Sequence, residues 1–248
     1  MFKRSVHGIL ATLIFLTMTA TSPSVTYSVQ IAEAEVYEYQ RQVKPGGDWW
    51  GIFPDGKGGY TLQPTRVSAV PDLASEDDPT KAPRKISVPG GKHGTFVFRG
   101  LMAAAAGPLK TVKLKEYPAP LVPGETFALR WDGDSPETRM CLRVAGRPVV
   151  TQDGKHTWRK TQDYELWLER GSGLGATRQL LFKNTEVYQD EEASLRWAGD
   201  LDRDGQLDLI YALGGHYTET RLALFLSSAA KPGELVGLVA RWDGSCGC

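Results

Sequence analysis

The sequence predicts an all-β protein whose short antiparallel strands form a sandwich, a barrel or a multi-sheet assembly. Short runs rich in β-branched and aromatic residues recur along the chain, as they do in strands. Glycine and proline, with 27 and 15 residues, separate these runs at turn positions. Helical signals are few, and the best of them is the alanine-rich segment 101–107, which ends at a glycine. Strands at such regular spacing are typical of sandwiches and barrels.

The first half of the chain alternates predicted strands with turns. Residues 54–56 (Pro-Asp-Gly) separate two strands and predict a hairpin. Residues 71–84 are proline-rich and charged, which predicts an exposed loop. For Trp49 and Trp50, packing in the core is favoured over an exposed platform for carbohydrate or peptide. The predicted strands of this half span 36–39, 48–53, 59–62, 67–70, 86–88 and 95–99.

The second half continues the pattern of short strands. Two β-rich regions, 35–117 and 125–248, are expected on either side of a proline-containing linker at 118–124. The chain is long enough for one large β domain or two small ones. The predicted strands that precede the acidic loop described below span 127–131, 139–144, 148–151, 165–169 and 179–182.

The N-terminus has the order of a signal peptide, which we expect over residues 1–28. Lys3 and Arg4 precede a mostly apolar segment, 9–20, that is too short to span a bilayer. Small residues after it leave the cleavage site open within 20–34. No later run reaches the roughly 18 apolar residues of a membrane helix, so no integral membrane segment is expected after cleavage. The mature protein is expected to be periplasmic or secreted.

The balance of charge bears on the partners of the protein. Basic and acidic residues number 29 each, so the formal net charge is zero. Nucleic acid and anionic membranes both favour a strong basic excess, which argues against either as the main partner. We therefore expect a protein or carbohydrate ligand, and the sequence leaves open which.

The most informative segment is an acidic loop with the spacing of a calcium site. Ca²⁺ takes roughly six to eight oxygen ligands, so a short loop must bring several carboxylates together. Gly205 permits the sharp turn that returns the chain, and the carbonyl of Gln206 can add a ligand. The alternative is an acidic surface turn that binds nothing. The predicted metal ligands are Asp200, Asp202, Asp204, Gln206 and Asp208.

The flanks of this loop distinguish a β-hairpin from an EF-hand. An EF-hand needs a helix on each side and a bidentate glutamate at loop position 12, where this chain has Tyr211. Upstream, residues 193–198 alternate in polarity, and downstream, residues 207–213 form an apolar run without a helical period. Both flanks therefore predict strands that the loop connects.

Residues 197–210 (WAGDLDRDGQLDLI) resemble the calcium hairpin of FG-GAP (integrin-α-type) repeats and of related bacterial VCBS repeats. The resemblance implies a loop between strands of a propeller blade, with the four aspartates and the Gln206 carbonyl as Ca²⁺ ligands. Propellers repeat roughly four to eight blades, whereas this chain has one complete loop, so a full β-propeller is not expected. The wider C-terminal run, through 216–217 and 224–228, is similar to small secreted bacterial proteins with one such hairpin, a likeness that supplies no activity.

The three cysteines are Cys141, Cys246 and Cys248. A structural disulfide is the default in an oxidising compartment, and we favour Cys141 paired with one of the two C-terminal cysteines. The connectivity stays open. Cys246 and Cys248 could instead form a redox pair or a metal clip, although no histidine or further cysteine lies near them to complete a zinc set.

Sequence motifs of enzymes are missing from the chain. Residues 171–175 have neither the glycine spacing of a dinucleotide-binding loop nor that of a nucleophile elbow, and they predict a turn. His93, His156 and His216 are scattered, so only the fold could unite them. We expect an extracytoplasmic calcium-binding β-protein, a non-enzymatic binding or envelope-associated module whose hairpin Ca²⁺ stabilises. The alternative is a calcium-dependent extracellular hydrolase that acts on a polymer.

Overall fold

The structure, a computed structural model, confirms the predicted all-β class. It describes residues 29–74, 76, 78–101, 105–114, 121–130, 139–153, 156–189, 191–213 and 219–245, and the side chains of 153, 156 and 174 are excepted. Regular structure in these ranges consists of strands and of two short 3₁₀ helices, Gly173–Gly175 and Ser227–Ala229. The strands are β1 (Gln30–Glu33), β2 (Tyr37–Glu38), β3 (Gly46–Pro54), β4 (Tyr60–Pro71), β5 (Arg84–Ser87), β6 (Phe96–Arg99), β7 (Gly107–Leu109), β8 (Thr126–Leu129), β9 (Met140–Asp153), β10 (His156–Arg170), β11 (Thr177–Tyr188), β12 (Ser194–Gly199), β13 (Asp208–Ala212), β14 (Glu219–Leu226) and β15 (Gly237–Ser245).

The strands form one large sheet and one small sheet, and the pairings between the described strands are antiparallel. The large sheet has the order β1-β6-β3-β4-β5-β2-β15-β14-β13-β12, with β7 paired to β4, and the small sheet has the order β11-β10-β9-β8. The first part of β4, 60–67, pairs with β3, and its last part, 68–71, pairs with β5. β1 packs against β15 and β14, so the large sheet folds over on itself across the long strand β4.

Two apolar cores lie on opposite faces of β12, β13 and β14. The first core fills the folded large sheet and contains Trp49, Ile52, Phe98 and Ile210 among its buried side chains. The second lies between the large sheet and the small sheet, where Leu209 and Tyr211 of β13 meet side chains of β9 and β10. Neighbouring residues of β13 thus point into different cores. This explains why the sequence after the acidic loop is apolar without alternation, since a strand buried on both faces has no polar side.

A side chain ties the edge of the small sheet to the large one. Gln179 of β11 accepts hydrogen bonds through Oε1 from the backbone amides of Leu235 (2.6 Å) and Val236 (3.0 Å). Its Nε2 donates to the Val236 carbonyl at 2.6 Å. The amide therefore pairs with backbone as a short strand would, at the point where the segment before β15 passes the small sheet.

The predicted local structure is confirmed in some places and corrected in others. The hairpin around 54–56 is present as β3 and β4, with Asp55 Oδ1 accepting from the amides of Lys57 (2.7 Å) and Gly59 (2.9 Å). The predicted break between 144 and 148 is wrong, because β9 runs through it: Pro148 lies opposite Thr161, and an irregularity in β10 absorbs the mismatch. Of the predicted helical segment 101–107, residues 102–104 lie outside the described residues, and Gly107 begins β7.

Several predictions about the ends and the linker lie outside the described residues. They are the signal peptide at 1–28, the linker residues 118–120, and Cys246 with Cys248. Strands of both predicted β-rich regions share the large sheet, since Tyr37 of β2 pairs with Ser245 of β15. Within the described ranges, no helix has the length and apolar character needed to span a bilayer.

Cys141 lies on β9, has no disulfide partner among the described residues, and places its thiol 3.9 Å from Oε2 of Glu169. Partial burial raises the pKa of this thiol, and the neighbouring Glu169 carboxylate raises it further. A raised pKa disfavours the reactive thiolate. Since both proposed partners lie outside the described residues, the disulfide stays a prediction.

The second core contains two buried tyrosines whose hydroxyl groups differ in hydrogen bonding. The hydroxyl of Tyr164 lies 3.3 Å from the Leu121 carbonyl, to which it donates, whereas the hydroxyl of Tyr211 has no hydrogen-bond partner among the described residues. We expect Tyr211→Phe to leave the free energy of unfolding unchanged or to raise it by about 1 kcal/mol, because it removes an unsatisfied polar group. Tyr164→Phe should lower it by about 0.5–1.5 kcal/mol. Urea unfolding of both variants checks this, and an equal loss in the two would contradict it.

Glu192, just before β12, predicts a pH dependence of stability. Partial burial, with a smaller effect of the Glu125 charge, raises the pKa of Glu192 to about 7 from its usual 4.5. The folded protein then holds this proton more tightly than the unfolded chain, so stability falls as the pH rises through this window. Between about pH 5 and about pH 8, the wild-type protein should lose more unfolding free energy than Glu192→Gln. Denaturant unfolding at both pH values measures the difference, and parallel pH curves would refute it.

Candidate metal centre

The acidic loop connects β12 to β13, which pair antiparallel as the sequence predicted. The end of β12 is held on its outer side by the segment 110–112: the Asp200 amide donates to the Lys110 carbonyl, and the Val112 amide donates to the Ala198 carbonyl, both at 2.9 Å. A Cβ atom at Gly199 would lie 2.7 Å from the Lys110 carbonyl oxygen, so this close approach requires glycine. The backbone that carries Asp200 is therefore fixed before the loop begins.

Three of the predicted ligands converge. Carboxylate oxygens of Asp200, Asp202 and Asp208 lie within 4.8 Å of one another, in a group that could hold a metal ion. Asp208 is fully buried, and the other two are partly exposed. The group thus opens to solvent on one side and rests on the protein interior on the other.

The loop backbone winds around its own carboxylates. The amide of Asp204 donates to Asp202 Oδ1 (3.3 Å), the amide of Gly205 to Asp200 Oδ2 (3.1 Å), and the amide of Gln206 to Asp204 Oδ1 (2.7 Å). Gly205 has φ +83°, in the left-handed region that favours glycine. The turn that the sequence predicted at Gly205 is present, and each carboxylate is oriented by an amide further along the loop.

Asp208 anchors the loop from beneath. Its Oδ2 accepts from the amides of Leu201 (2.7 Å) and Asp202 (3.4 Å). Its Oδ1 accepts from the amide of Ser227 at 2.8 Å and lies 3.0 Å from the hydroxyl of the same serine. Three amides donate to this carboxylate, and the Ser227 hydroxyl has one proton that Asp208 shares with Asp204, so Asp208 keeps acceptor capacity for a cation. Asp208 therefore acts as a structural anchor, in addition to placing negative charge in the group.

A second chain segment completes the site from the other side. The Ser227 hydroxyl lies 2.8 Å from Asp204 Oδ2 as well as against Asp208, and the Ser228 hydroxyl donates to Asp202. Both serines belong to the 3₁₀ helix that follows β14. Sequence reasoning missed their role, since a pair of serines after an apolar strand is common, and only the pairing of β13 with β14 brings them to the loop.

The negatively charged carboxylates of the site repel one another. Burial raises the pKa of Asp208 to about 7, and the Asp202 charge adds to the effect while the hydrogen bonds from Ser227 and Leu201 oppose it. Burial also raises the pKa of Asp200, with further contributions from Asp204 and Asp202. Oδ1 of Asp200 is buried and has no hydrogen-bond partner among the described residues. A cation would offset both the repulsion and this unpaired oxygen.

Among the described residues, the converging group does not include Asp204 or His93. Asp204 directs one oxygen to the Ser227 hydroxyl and the other to the Gln206 amide. As metal ligands, Asp204 and the Gln206 carbonyl stay predictions. His93 lies 3.2 Å from Oε1 of Glu33, a buried carboxylate that also accepts from Arg196 at 2.9 Å. The side chain of His156 and all of His216 lie outside the described residues.

Comparison with known proteins gives no match to a family model, to a curated protein or to a solved structure. The resemblance to FG-GAP and VCBS hairpins therefore rests on residues 197–210 alone and stays a prediction.

Ser227→Ala tests whether the second segment holds the loop without help from a metal ion. The change removes a hydroxyl that contacts two carboxylates, so in EDTA the free energy of unfolding should fall by about 1.5–3 kcal/mol. Ser68→Ala is the matched control, because the Ser68 hydroxyl makes one exposed bond to a neutral carbonyl, that of Ser87 at 3.3 Å. The control should stay within about 0.5 kcal/mol of wild type. Equal effects of the two changes, measured by urea unfolding, would contradict the assignment.

Proposed function

We propose that this protein is an extracytoplasmic calcium-binding β-protein that acts as a non-enzymatic binding or envelope-associated module. The observation that carries the proposal is the convergence of carboxylate oxygens from Asp200, Asp202 and Asp208. All-oxygen donor sets suit hard cations, whereas Zn²⁺ sites in proteins commonly include thiolate or imidazole ligands. Ca²⁺ accepts a flexible shell of roughly six to eight oxygens, which suits a loop that offers carboxylates, a carbonyl and water. Asp204 and the Gln206 carbonyl would complete the protein ligands.

The proposed ion would stabilise contacts between two segments. The loop between β12 and β13 already meets Ser227 and Ser228 through three of its aspartates. A cation bound by Asp200 and Asp202 would remove the repulsion that opposes this arrangement. The loop and the end of β14 would then form one rigid surface.

The extracytoplasmic location of the proposal rests on the sequence. The basic residues followed by an apolar segment at 9–20 support a signal peptide. A solvent-accessible loop with few protein ligands suits the weak calcium sites of extracellular modules, whose dissociation constants are on the order of 10⁻⁴–10⁻³ M.

The hydrogen bonds of the loop aspartates favour a binding role over a catalytic one. The loop aspartates accept hydrogen bonds from loop amides and serines, as expected for a structural site. His93 contacts Glu33 instead of the loop. A histidine beside the carboxylate group would favour the hydrolase alternative, but His93 is occupied by Glu33, and the side chains of His156 and His216 lie outside the described residues.

Thermal unfolding in EDTA and in millimolar Ca²⁺ tests the proposal. Calcium at ten to a hundred times its dissociation constant should stabilise by about 1.4–2.7 kcal/mol, or about 3–10 °C in Tm for a chain of this size. The double variant Asp202→Ala/Asp204→Ala should lose this shift. Asp243→Asn, which changes an exposed carboxylate on β15 opposite Arg221, should keep it. Mg²⁺ at the same concentration should stabilise less, because it requires near-octahedral geometry.

The absence of a calcium-dependent shift in wild type would overturn the proposal. An equal shift in the double variant would place the ion elsewhere on the protein.

A further inference from the structure

A cavity lies at the end of β14 that is away from the acidic loop. Its volume is about 540 Å³, within the range of about 300–1,000 Å³ that is typical of small-ligand pockets. It is open to solvent and draws on three separate parts of the chain. The lining residues are Tyr39, Gln40, Glu219, Arg221, Asp243, Gly244 and Ser245.

Strand register explains how the floor of this cavity forms. Glu219 pairs with Ser245, and Arg221 pairs with Asp243. Cross-strand partners point to the same face of a sheet, and so do residues two apart on one strand. These four polar side chains therefore share one face. Leu222 and Trp242, their neighbours along the strands, are buried in the first core on the other face.

The side chains of the cavity combine an aromatic ring with groups that form directed hydrogen bonds. Tyr39 is 59 % exposed, so its ring is accessible to a ligand. The Arg221 guanidinium is oriented by a 2.8 Å ion pair with Glu219, and the Gln40 amide by a 2.7 Å hydrogen bond with Gln42. Carboxylates accept hydrogen bonds, guanidinium groups donate them, and amides and hydroxyls do both.

We propose that this cavity, which we call the β14 cleft, binds a neutral oligosaccharide. A sugar ring offers an apolar C–H face for the Tyr39 ring and hydroxyls for Asp243 and Arg221. The lining carries two carboxylates and one guanidinium, a net negative charge that disfavours anionic ligands. Its mixed polar lining disfavours a purely apolar ligand, because burying polar groups without hydrogen bonds is costly.

The β14 cleft gives the proposed binding module a ligand class, and in that sense it rests on the proposed function. Its chemistry is independent of calcium. Glu219 and Leu226 are the ends of β14, which places the cleft roughly 23 Å from the acidic loop at the usual rise per strand residue. The two sites share no residue, so each can fail without the other.

Isothermal titration calorimetry with chitotetraose, cellotetraose and maltotetraose, and with tri-lysine as a cationic peptide probe, tests the assignment. At least one tetrasaccharide should bind the full chain. Tyr39→Ala and Asp243→Asn should each weaken that binding about tenfold, since one removes ring stacking and the other a charged acceptor. Tyr39→Phe, which keeps the ring, should stay within about threefold of wild type.

Two controls separate the cleft from other surfaces. Trp158→Ala removes another aromatic ring, 57 % exposed on the small sheet, and should leave saccharide affinity unchanged. Asp202→Ala/Asp204→Ala should abolish the calcium response without changing saccharide affinity, so the failure of one proposal is distinct from the failure of the other. Failure of all three saccharides to bind would overturn the proposal. So would tighter binding of tri-lysine, or a loss in Trp158→Ala as large as that in Tyr39→Ala.

Discussion

The arrangement of the acidic loop depends on one buried carboxylate. Asp208 is the first residue of β13, in a strand whose next three residues are buried and apolar. A buried carboxylate is unfavourable unless its oxygens are hydrogen-bonded. The donors that satisfy it come from the start of the loop and from Ser227 beyond β14. The hydrogen bonds to this one carboxylate therefore hold two chain segments in place. Asp200, Asp202 and Asp204 lie in the loop that these bonds fix.

The position of β13 and β14 in the molecule explains where polar groups can gather. Both strands lie between two apolar cores, and residues 222–226 of β14 are buried throughout. In β14 the charged side chains, Glu219 and Arg221, lie before the buried run begins, and the polar residues Ser227 and Ser228 follow Leu226 at its other end. The two candidate sites therefore lie at the limits of the same covered region. Their positions follow from the extent of the small sheet and the folded large sheet.

Sequence reasoning predicted the features that depend on local chemistry. The β-hairpin, the left-handed turn at Gly205 and the convergence of Asp200, Asp202 and Asp208 all follow from spacing within one short segment. Features that depend on pairing between distant segments could not be predicted from the sequence. Ser227 reaches the loop only because β14 pairs with β13, and the β14 cleft joins residue 39 to residues 219–221 and 243–245.

The error at β9 has a related cause. Two separate strands were predicted at 139–144 and 148–151, on either side of Gly146, yet one strand continues through both. The partner strand β10 supplies an irregular pairing between Gln162 and Glu165 that accommodates these residues. Turn propensity is a property of a few neighbouring residues, whereas strand continuity is decided by the partner across the ladder.

The contacts of Gln179 bear on how the two sheets keep their relative position. The core between them is largely apolar, and apolar contact is less directional than hydrogen bonding. Three hydrogen bonds from one amide to Leu235 and Val236 exist at a single offset. Any slippage would leave these groups unpaired away from bulk water. Gln179 therefore adds directional contacts to an apolar interface, and these contacts fit only the observed alignment of the two sheets.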